Sequence, residues 1–351
     1  MRSVRAVRTA FATLLLAVSL GATTGRAAQP PWRIAMLLYR GCEESCRGFQ
    51  DYFRRQNVPA VFTLLDAAQD QRRIAGLVAE VKRIRPDLVV VWGTSVALAA
   101  VGTWDAVDPE RHLTEMPVVF MAVTDPVHSR LVPSLAGSRR NLAGTLYLLP
   151  VAEQLRAARA YLDFRRVGFL LNPAETNSRL SLAELQALAG QLGFAVHVET
   201  LPLDNGGRPE AGALPKRIAA LAAAGVDLLY FSPDSFLNSQ RQVITRQAVA
   251  RRIAVFAAAE APVRQADALL GVVVRYDYVG QFTARLALRI LHDGARAGEL
   301  PVELPRQFSY LINLRVARRL GRYPPLPLLD VAEIVGGSDC AGTFEKGERC
   351  D

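Results

Sequence analysis

The sequence predicts an α/β protein made of two similar parallel-sheet units laid end to end. Three observations predict it. Short apolar runs alternate with amphipathic helical stretches, the pattern of strands joined by crossover helices. Residues 87–95 (DLVVVWGTS) are echoed 140 positions later by 227–235 (DLLYFSPDS), each a buried strand, a polar tip and a helix start. Two further pairs fall at nearly the same offset: 33–39 with 166–172, and 118–120 with 254–256. A chain of 351 residues is long enough for two cores at ~100–200 residues per domain.

Taken in order, the first 27 residues stand apart. Arg2, Arg5 and Arg8 precede an apolar run over 9–22, and Gly25-Arg26-Ala27 puts small residues three and one positions before Ala28. This is the pattern of a Sec-type signal peptide. The apolar run is shorter than the ~18–20 residues of a membrane span. No cysteine follows it closely, the first being Cys42, so a lipid anchor is not expected.

From Trp32 the elements alternate. Residues 34–39 read as a strand, and Arg40-Gly41 turns into a helix with Phe49, Tyr52 and Phe53 at helical spacing. A strand at 61–65 follows, then a helix striped by Ile74, Leu77, Val78, Val81 and Ile84, ended by Pro86. Leu88–Trp92 and 118–122 are strands, and the stretch 142–149 leads into the second half. There 151–162, 180–192 and 214–224 read as helices, with strands at 167–171, 196–201, 228–231, 253–257 and 269–274. A helix over 276–292, a strand and short helix over 309–320, a Pro-rich stretch and a tail from 336 complete the chain.

Charge excludes one function class. The chain carries a net +9; without residues 1–27 it holds 38 basic and 33 acidic residues, a net +5. Arginine pairs such as Arg54-Arg55, Arg165-Arg166 and Arg318-Arg319 are scattered, with no basic helix interleaved with aromatics. That is a solvated surface, not a nucleic-acid interface. The four cysteines are Cys42, Cys46, Cys340 and Cys350. An even number in an exported chain favours disulfides. Local pairs, Cys42–Cys46 and Cys340–Cys350, are expected, with Cys42 outside the regular helix; a link from the N-terminal turn to the tail, or free thiols, stay open. No metal site is expected, since neither pair has C-x2-C spacing.

In open parallel sheets ligands bind beyond the carboxyl ends of the strands. The tips there are Tyr39-Arg40-Gly41, Gly93-Thr94-Ser95, Thr124-Asp125, 172–178, Ser232-Pro233-Asp234-Ser235 and Ala258-Ala259-Glu260. Helix N-termini at 93–95 suit a carboxylate. Asp125, Asp234 and Glu260 suit an ammonium, and Tyr39, Trp92, Phe236 and Tyr276 an apolar or aromatic group. Each has a plainer reading. Thr94, Ser95, Asp234 and Ser235 are also ordinary N-caps, Trp92 can be core, Asp125-Pro126 is a turn signal, and Glu260 can be a surface acid. Catalysis finds little support: His112, His128, His197 and His292 lack ligand spacing, and there is no G-x-S-x-G elbow, phosphate loop or dinucleotide fingerprint. No enzyme activity and no cofactor are expected.

The tips together resemble a known family. PDLVVVWGTSVALAA (86–100), PVVFMAVTDPV (117–127), NLAGTLY (141–147), VGFLLNPAETNS (167–178), VDLLYFSPDS (226–235), ALLGVVVRYDYVGQFTA (268–284) and PVELPRQFSYLINLRVARRLG (301–321) are similar to ABC-transporter substrate-binding proteins of the tryptophan- and tyrosine-binding kind. The resemblance spans about 32–335. It implies a type I periplasmic-binding fold of two Rossmann-like lobes with three interlobe crossovers, near 146–150, 274–277 and 301–308. Lobe 1 is then 32–147 and 277–303, lobe 2 is 148–276 and 304–335, and 336–351 is a tail. Carried over residue by residue, the pocket draws on Thr94, Ser95, Thr124, Asp125, Asn172, Asn177, Ser178, Asp234 and Tyr276; with Tyr39, Trp92, Ser235 and Glu260 this completes the expected ligand set. The chain departs from the family pattern where PDN becomes Pro233-Asp234-Ser235, GTP becomes Gly93-Thr94-Ser95, and Asp267 replaces a glycine. Ligand identity therefore does not transfer.

The implied function is capture of a small polar metabolite, an amino acid or related carboxylate, by hinge closure. The expected partners are an inner-membrane ABC permease and its ATPase, with no nucleic acid, no membrane embedding of the chain itself, a monomeric state and a periplasmic location. The alternative is a ligand-sensing module of the same fold reporting to a membrane signalling partner.

Overall fold

The computed structural model describes residues 30–336. The expected signal peptide and the Cys340–Cys350 pair lie outside the described residues.

The first half runs β1 (Trp32–Leu38), α1 (Glu44–Arg55), β2 (Ala60–Asp66), α2 (Ile74–Ile84), β3 (Leu88–Trp92), α3 (Thr94–Val101), β4 (Val118–Met121) and β5 (Leu142–Gly144). Its five strands form a parallel sheet in the order β2-β1-β3-β4-β5. The second half continues with α4 (Val151–Tyr161), β6 (Arg166–Leu171), α5 (Thr176–Leu192), β7 (Ala195–Thr200), α6 (Leu214–Ala223) and β8 (Leu228–Phe231). Then come α7 (Ser235–Ser239), α8 (Arg241–Ala250), β9 (Ala254–Ala257), α9 (Ala261–Arg264) and β10 (Leu270–Val273). The run β7-β6-β8-β9-β10 repeats the strand order of the first sheet.

The uninterrupted apolar run of β3 follows from this arrangement, because a central parallel strand is covered on both faces. Leu88, Val90 and Trp92 point into a core with Phe49 of α1, whereas Val89 and Val91 point into a second core with Val78 of α2 and Val96 of α3. The repeated aspartates also do the same job in each half. Asp87 Oδ2 accepts from the Arg33 N–H at 2.7 Å, and Asp227 Oδ2 from the Arg166 N–H at 2.9 Å. Each gives a backbone N–H at the exposed start of the neighbouring strand a side-chain acceptor.

The remaining elements are α10 (Tyr276–Leu291), β11 (Ser309–Asn313), α11 (Leu314–Leu320), α12 (Leu326–Leu329) and β12 (Ala332–Val335). The chain passes between the lobes three times: after β5 into α4, after β10 into α10, and before β11. Val279, Ala284 and Ala287 of α10 return to the core around Phe49. The approach of α10 to α1 is close enough to require glycine. A Cβ at Gly280 would meet the Ser45 carbonyl, and one at Gly48 the Asp277 carbonyl. Ala297, Leu300 and Val302 stay in the first lobe's cores, and Thr145 bridges Glu303 before β11 joins the second sheet.

Three features differ from expectation. β11 runs antiparallel to β10, so the second sheet is mixed. α5 starts at Thr176, not at 180, because Glu175 ahead of it is extended and the tip folds straight into the helix. Beyond the Pro-rich stretch, β12 pairs in parallel with β11 at the sheet edge.

Candidate functional site

Strand order reverses direction at β2-β1-β3 in one sheet and β7-β6-β8 in the other, and a crevice opens at such switch points. The tips beyond β1, β3, β6 and β8 meet there. They line a cavity of about 540 Å³ with its mouth counted. The two sides come close enough that Arg40 Nη1 lies 3.5 Å from the Ser235 carbonyl across the cleft. Tyr39, Arg40 and Gly93 to Val96 line it from the first lobe, and Glu175, Asn177, Ser232 to Ser235 and Asn238 from the second. Tyr147 and Tyr276, both beside crossovers, close its floor with ring centroids 6.0 Å apart.

On the first lobe the helix end is open. Gly93 precedes α3 with no side chain to cap it. The N–H groups of Thr94, Ser95 and Val96 have no hydrogen-bond partner among the described residues, and the first backbone bond of α3 is from Ala97 to Gly93. The Thr94 hydroxyl does not cap the helix; its Oγ1 accepts from the Thr124 N–H at 3.0 Å. Three free donors and the positive end of the helix dipole thus face the cavity.

On the second lobe the equivalent end is plugged by two carboxylates. Asp234 Oδ1 accepts from the Leu237 N–H at 2.7 Å, and Glu175 takes the Ser235 and Phe236 N–H groups, each at 3.1 Å. Asp234 Oδ2 also accepts from Asn172 Nδ2 at 3.0 Å. Asp234 is 1% exposed and Glu175 6%. Burial pushes both carboxyls above the ordinary range, Asp234 strongly, with the charge of Glu175 adding to it. Each oxygen keeps an unused lone pair, since a carboxylate accepts at about four positions.

Arg40 lies between the two ends. Its guanidinium sits 4.9 Å above the Trp92 ring, and its Nε donates to Glu43 Oε1 at 2.9 Å. The Trp92 indole donates to Ser45 Oγ at 2.9 Å. Burial raises the Tyr39 hydroxyl to about 12, with Glu175 adding to the effect, and burial raises Tyr147 to about 12.

Eight of the expected residues line this cavity: Tyr39, Trp92, Thr94, Ser95, Asn177, Asp234, Ser235 and Tyr276. Five do not. Asn172 and Ser178 stand behind Asp234, Ser178 Oγ accepting from the Asn172 N–H at 3.0 Å. Thr124 pairs with the Tyr147 hydroxyl behind the wall. Asp125 has φ 42°, which turns its carboxylate onto His128, away from the cleft. Glu260 is taken by the Tyr276 N–H at 2.6 Å and by Arg264 at 2.9 Å. Arg40, Tyr147, Glu175 and Asn238 also line the cavity, outside the expected set. Arg40 and Glu175 lay inside the named tips, and their type, a lone charge beside strand ends, was the available signal. Cys42 and Cys46 form a disulfide with Cα atoms 5.2 Å apart, Cys42 standing just ahead of α1.

Two Rossmann-like lobes with facing switch-point tips define the type I periplasmic-binding fold. Residues 39–332 match the family described as ABC transporter substrate binding protein, and the chain belongs to that family. A tyrosine-binding protein of Clostridioides difficile (strain R20291) is 26% identical over 200 residues, 57% of this chain and 55% of that protein. The match thus spans about half the length of the curated relative. Among solved structures, an ABC domain in complex with L-Trp from Streptococcus pneumonia superposes with TM-score 0.75 at 21% identity, covering 87% of this chain and 99% of that one. A ligand-free, open substrate-binding protein with adhesive properties from Clostridium difficile gives 0.65 at 21% identity and the same coverage. At these identities the superpositions show the fold alone.

Proposed function

We propose that the chain is the periplasmic substrate-binding component of an ABC importer, exported by its N-terminal segment. It works as a monomer that captures an amino acid or related small carboxylate and delivers it to a permease and its ATPase. The lobes that close are 32–147 with 277–303, and 148–276 with 304–335. The observation carrying this reading is the facing pair of tips: free N–H groups at Thr94, Ser95 and Val96 across a closed cleft from buried Asp234 and Glu175.

Such a pair is complementary to a zwitterion. The ligand carboxylate takes the three donors of α3. Its ammonium takes the unused lone pairs of Asp234 and Glu175, and that positive charge reverses the cost of ionising them. Tyr39, Tyr147 and Tyr276 border the remaining space for a side chain. Contacts to both lobes exist only when the cleft is shut, so the ligand favours the closed state by its differential affinity. The binding of tyrosine by one relative and of L-Trp by another supports an amino acid as the ligand class.

The test is a thermal-shift screen of the mature protein over amino acids and small carboxylates. A true ligand at 100 times its dissociation constant adds about 2.7 kcal/mol of stability and is recovered unchanged. A panel without any shift, or turnover of the stabilising compound, would remove the proposal.

A further inference from the structure

We infer that Arg40 is a latch holding the two lobes closed, and that the Cys42–Cys46 disulfide sets its position. Among the described residues, few side chains bridge the mouth. Asp70 and Arg208 form one exposed ion pair at 3.9 Å. The other bridge is Arg40, whose side chain is only 9% exposed. Its Nη1 lies 3.5 Å from the Ser235 carbonyl of the second lobe. With the Asn238 amide turned to satisfy both groups, Asn238 Oδ1 accepts from Nη2 at 3.1 Å and Nη1 at 3.3 Å.

The other contacts that fix Arg40 run mostly through the disulfide loop of the first lobe, with the charge of Glu175 from the second lobe acting on it as well. After Arg40 the chain turns at Gly41, in the left-handed region at φ 84°, and reaches Cys42 within one residue. Cys42 is bonded to Cys46 in the first turn of α1 and its carbonyl is held by Arg47 at 2.9 Å. Cys46 is fully buried against Met36, and its neighbour Ser45 holds the indole on which Arg40 lies. Glu43, inside the loop, pairs with the guanidinium. The cross-link therefore closes a ring of contacts from α1 through the loop to Arg40 and back through Trp92. Without it, Cys42, Glu43 and the arginine stem are free to rearrange, and the reach across the cleft is lost with them.

The consequence for ligand retention rests on the binding proposal above, while the latch itself is tested apart from it in the ligand-free protein. Small-angle X-ray scattering of the ligand-free mature protein would be compared for wild type, Arg40→Gln, Cys42→Ser, the Arg40→Gln/Cys42→Ser pair, and Asn238→Ala. Cys42→Ser leaves the buried Cys46 in place, and Asn238→Ala removes the side-chain acceptor of Arg40 on the second lobe while leaving the first lobe's residues unchanged. Both single first-lobe variants and Asn238→Ala should show a larger radius of gyration than wild type, and the pair should open no further than Arg40→Gln alone. A Cys42→Ser protein that keeps the wild-type radius, or a pair that opens by the sum of both changes, would overturn the inference. So would an unchanged Asn238→Ala. Once a ligand is in hand, its release should be faster by about tenfold in Arg40→Gln, the scale of one lost charged hydrogen bond. If no compound binds any variant while the radii change as stated, the ligand proposal fails and the latch stands.

Discussion

The tips after β3 and after β8 occupy equivalent places in the two lobes, yet they are finished in opposite ways. After β3 the helix begins at a glycine and leaves three N–H groups open to the cleft. After β8 the same three positions are covered by Asp234 and Glu175. One lobe thus offers donors and partial positive charge, the other carboxylates held in a dry place. The repeated strand order gives the lobes equivalent mouths, and a difference of a few side chains gives them opposite electrostatic sense. A ligand with an acidic and a basic end satisfies both at once.

The largest expected effect comes from stripping the second tip. Asp234→Ala leaves Leu237 N–H and Asn172 Nδ2 without acceptors, and should cost roughly 2–3 kcal/mol of stability in urea unfolding and roughly 1–3 kcal/mol of ligand affinity. Unchanged affinity would remove Asp234 from the site. Making the tips alike is the next test. Ser95→Asp places a carboxylate where the ligand's own is proposed to sit, so affinity should fall at least about tenfold by calorimetry. Stability should meanwhile rise by about 0.5 kcal/mol through the helix dipole. Tighter binding in Ser95→Asp would show that the α3 end does not receive an anion.

Glu175→Gln should cost about 1 kcal/mol and relax the neighbouring acid, bringing the Asp234 carboxyl down toward its usual range in a carbon-detected NMR titration. The smallest effect is one of pH. The folded-state pKa of Asp234 lies above its unfolded value of about 3.9, so its contribution to stability is present below that pH and is lost as pH rises toward the folded value. In the ligand-free protein, urea midpoints measured upward from about pH 4 should therefore decline less in Asp234→Asn than in wild type. Parallel declines would mean that the acid is not held protonated.

Much of this was legible in the chain. Leu88–Trp92, Leu228–Phe231 and Ile74–Ile84 appear in the structure with the bounds read from the sequence, because unbroken apolar runs and a clean helical stripe leave no competing pattern. Less was visible where pattern is weak. α8 (RQVITRQAVA) mixes polar residues on its buried side and was not singled out, and β12 (AEIV) is a short edge strand with exposed positions. β11 runs antiparallel to β10 after the third crossover, an orientation that its own residues do not mark. In the site, Asp125 and Asp234 look alike as Asp at a strand tip, but one turns onto His128 through a left-handed backbone and the other is buried as a cap. Arg40 and Glu175 read as ordinary surface charges, since Arg40 is covered only by the facing lobe and Glu175 only by the distant turn at Ser235 and Phe236.

The most direct test of the opposed tips is a calorimetric titration of the mature protein with its best amino-acid ligand, the methyl ester of that amino acid and its N-acetyl derivative. The account predicts binding of the zwitterion and a loss of at least about tenfold for each blocked form, since each leaves one tip unmatched. Equal affinity for all three would contradict it.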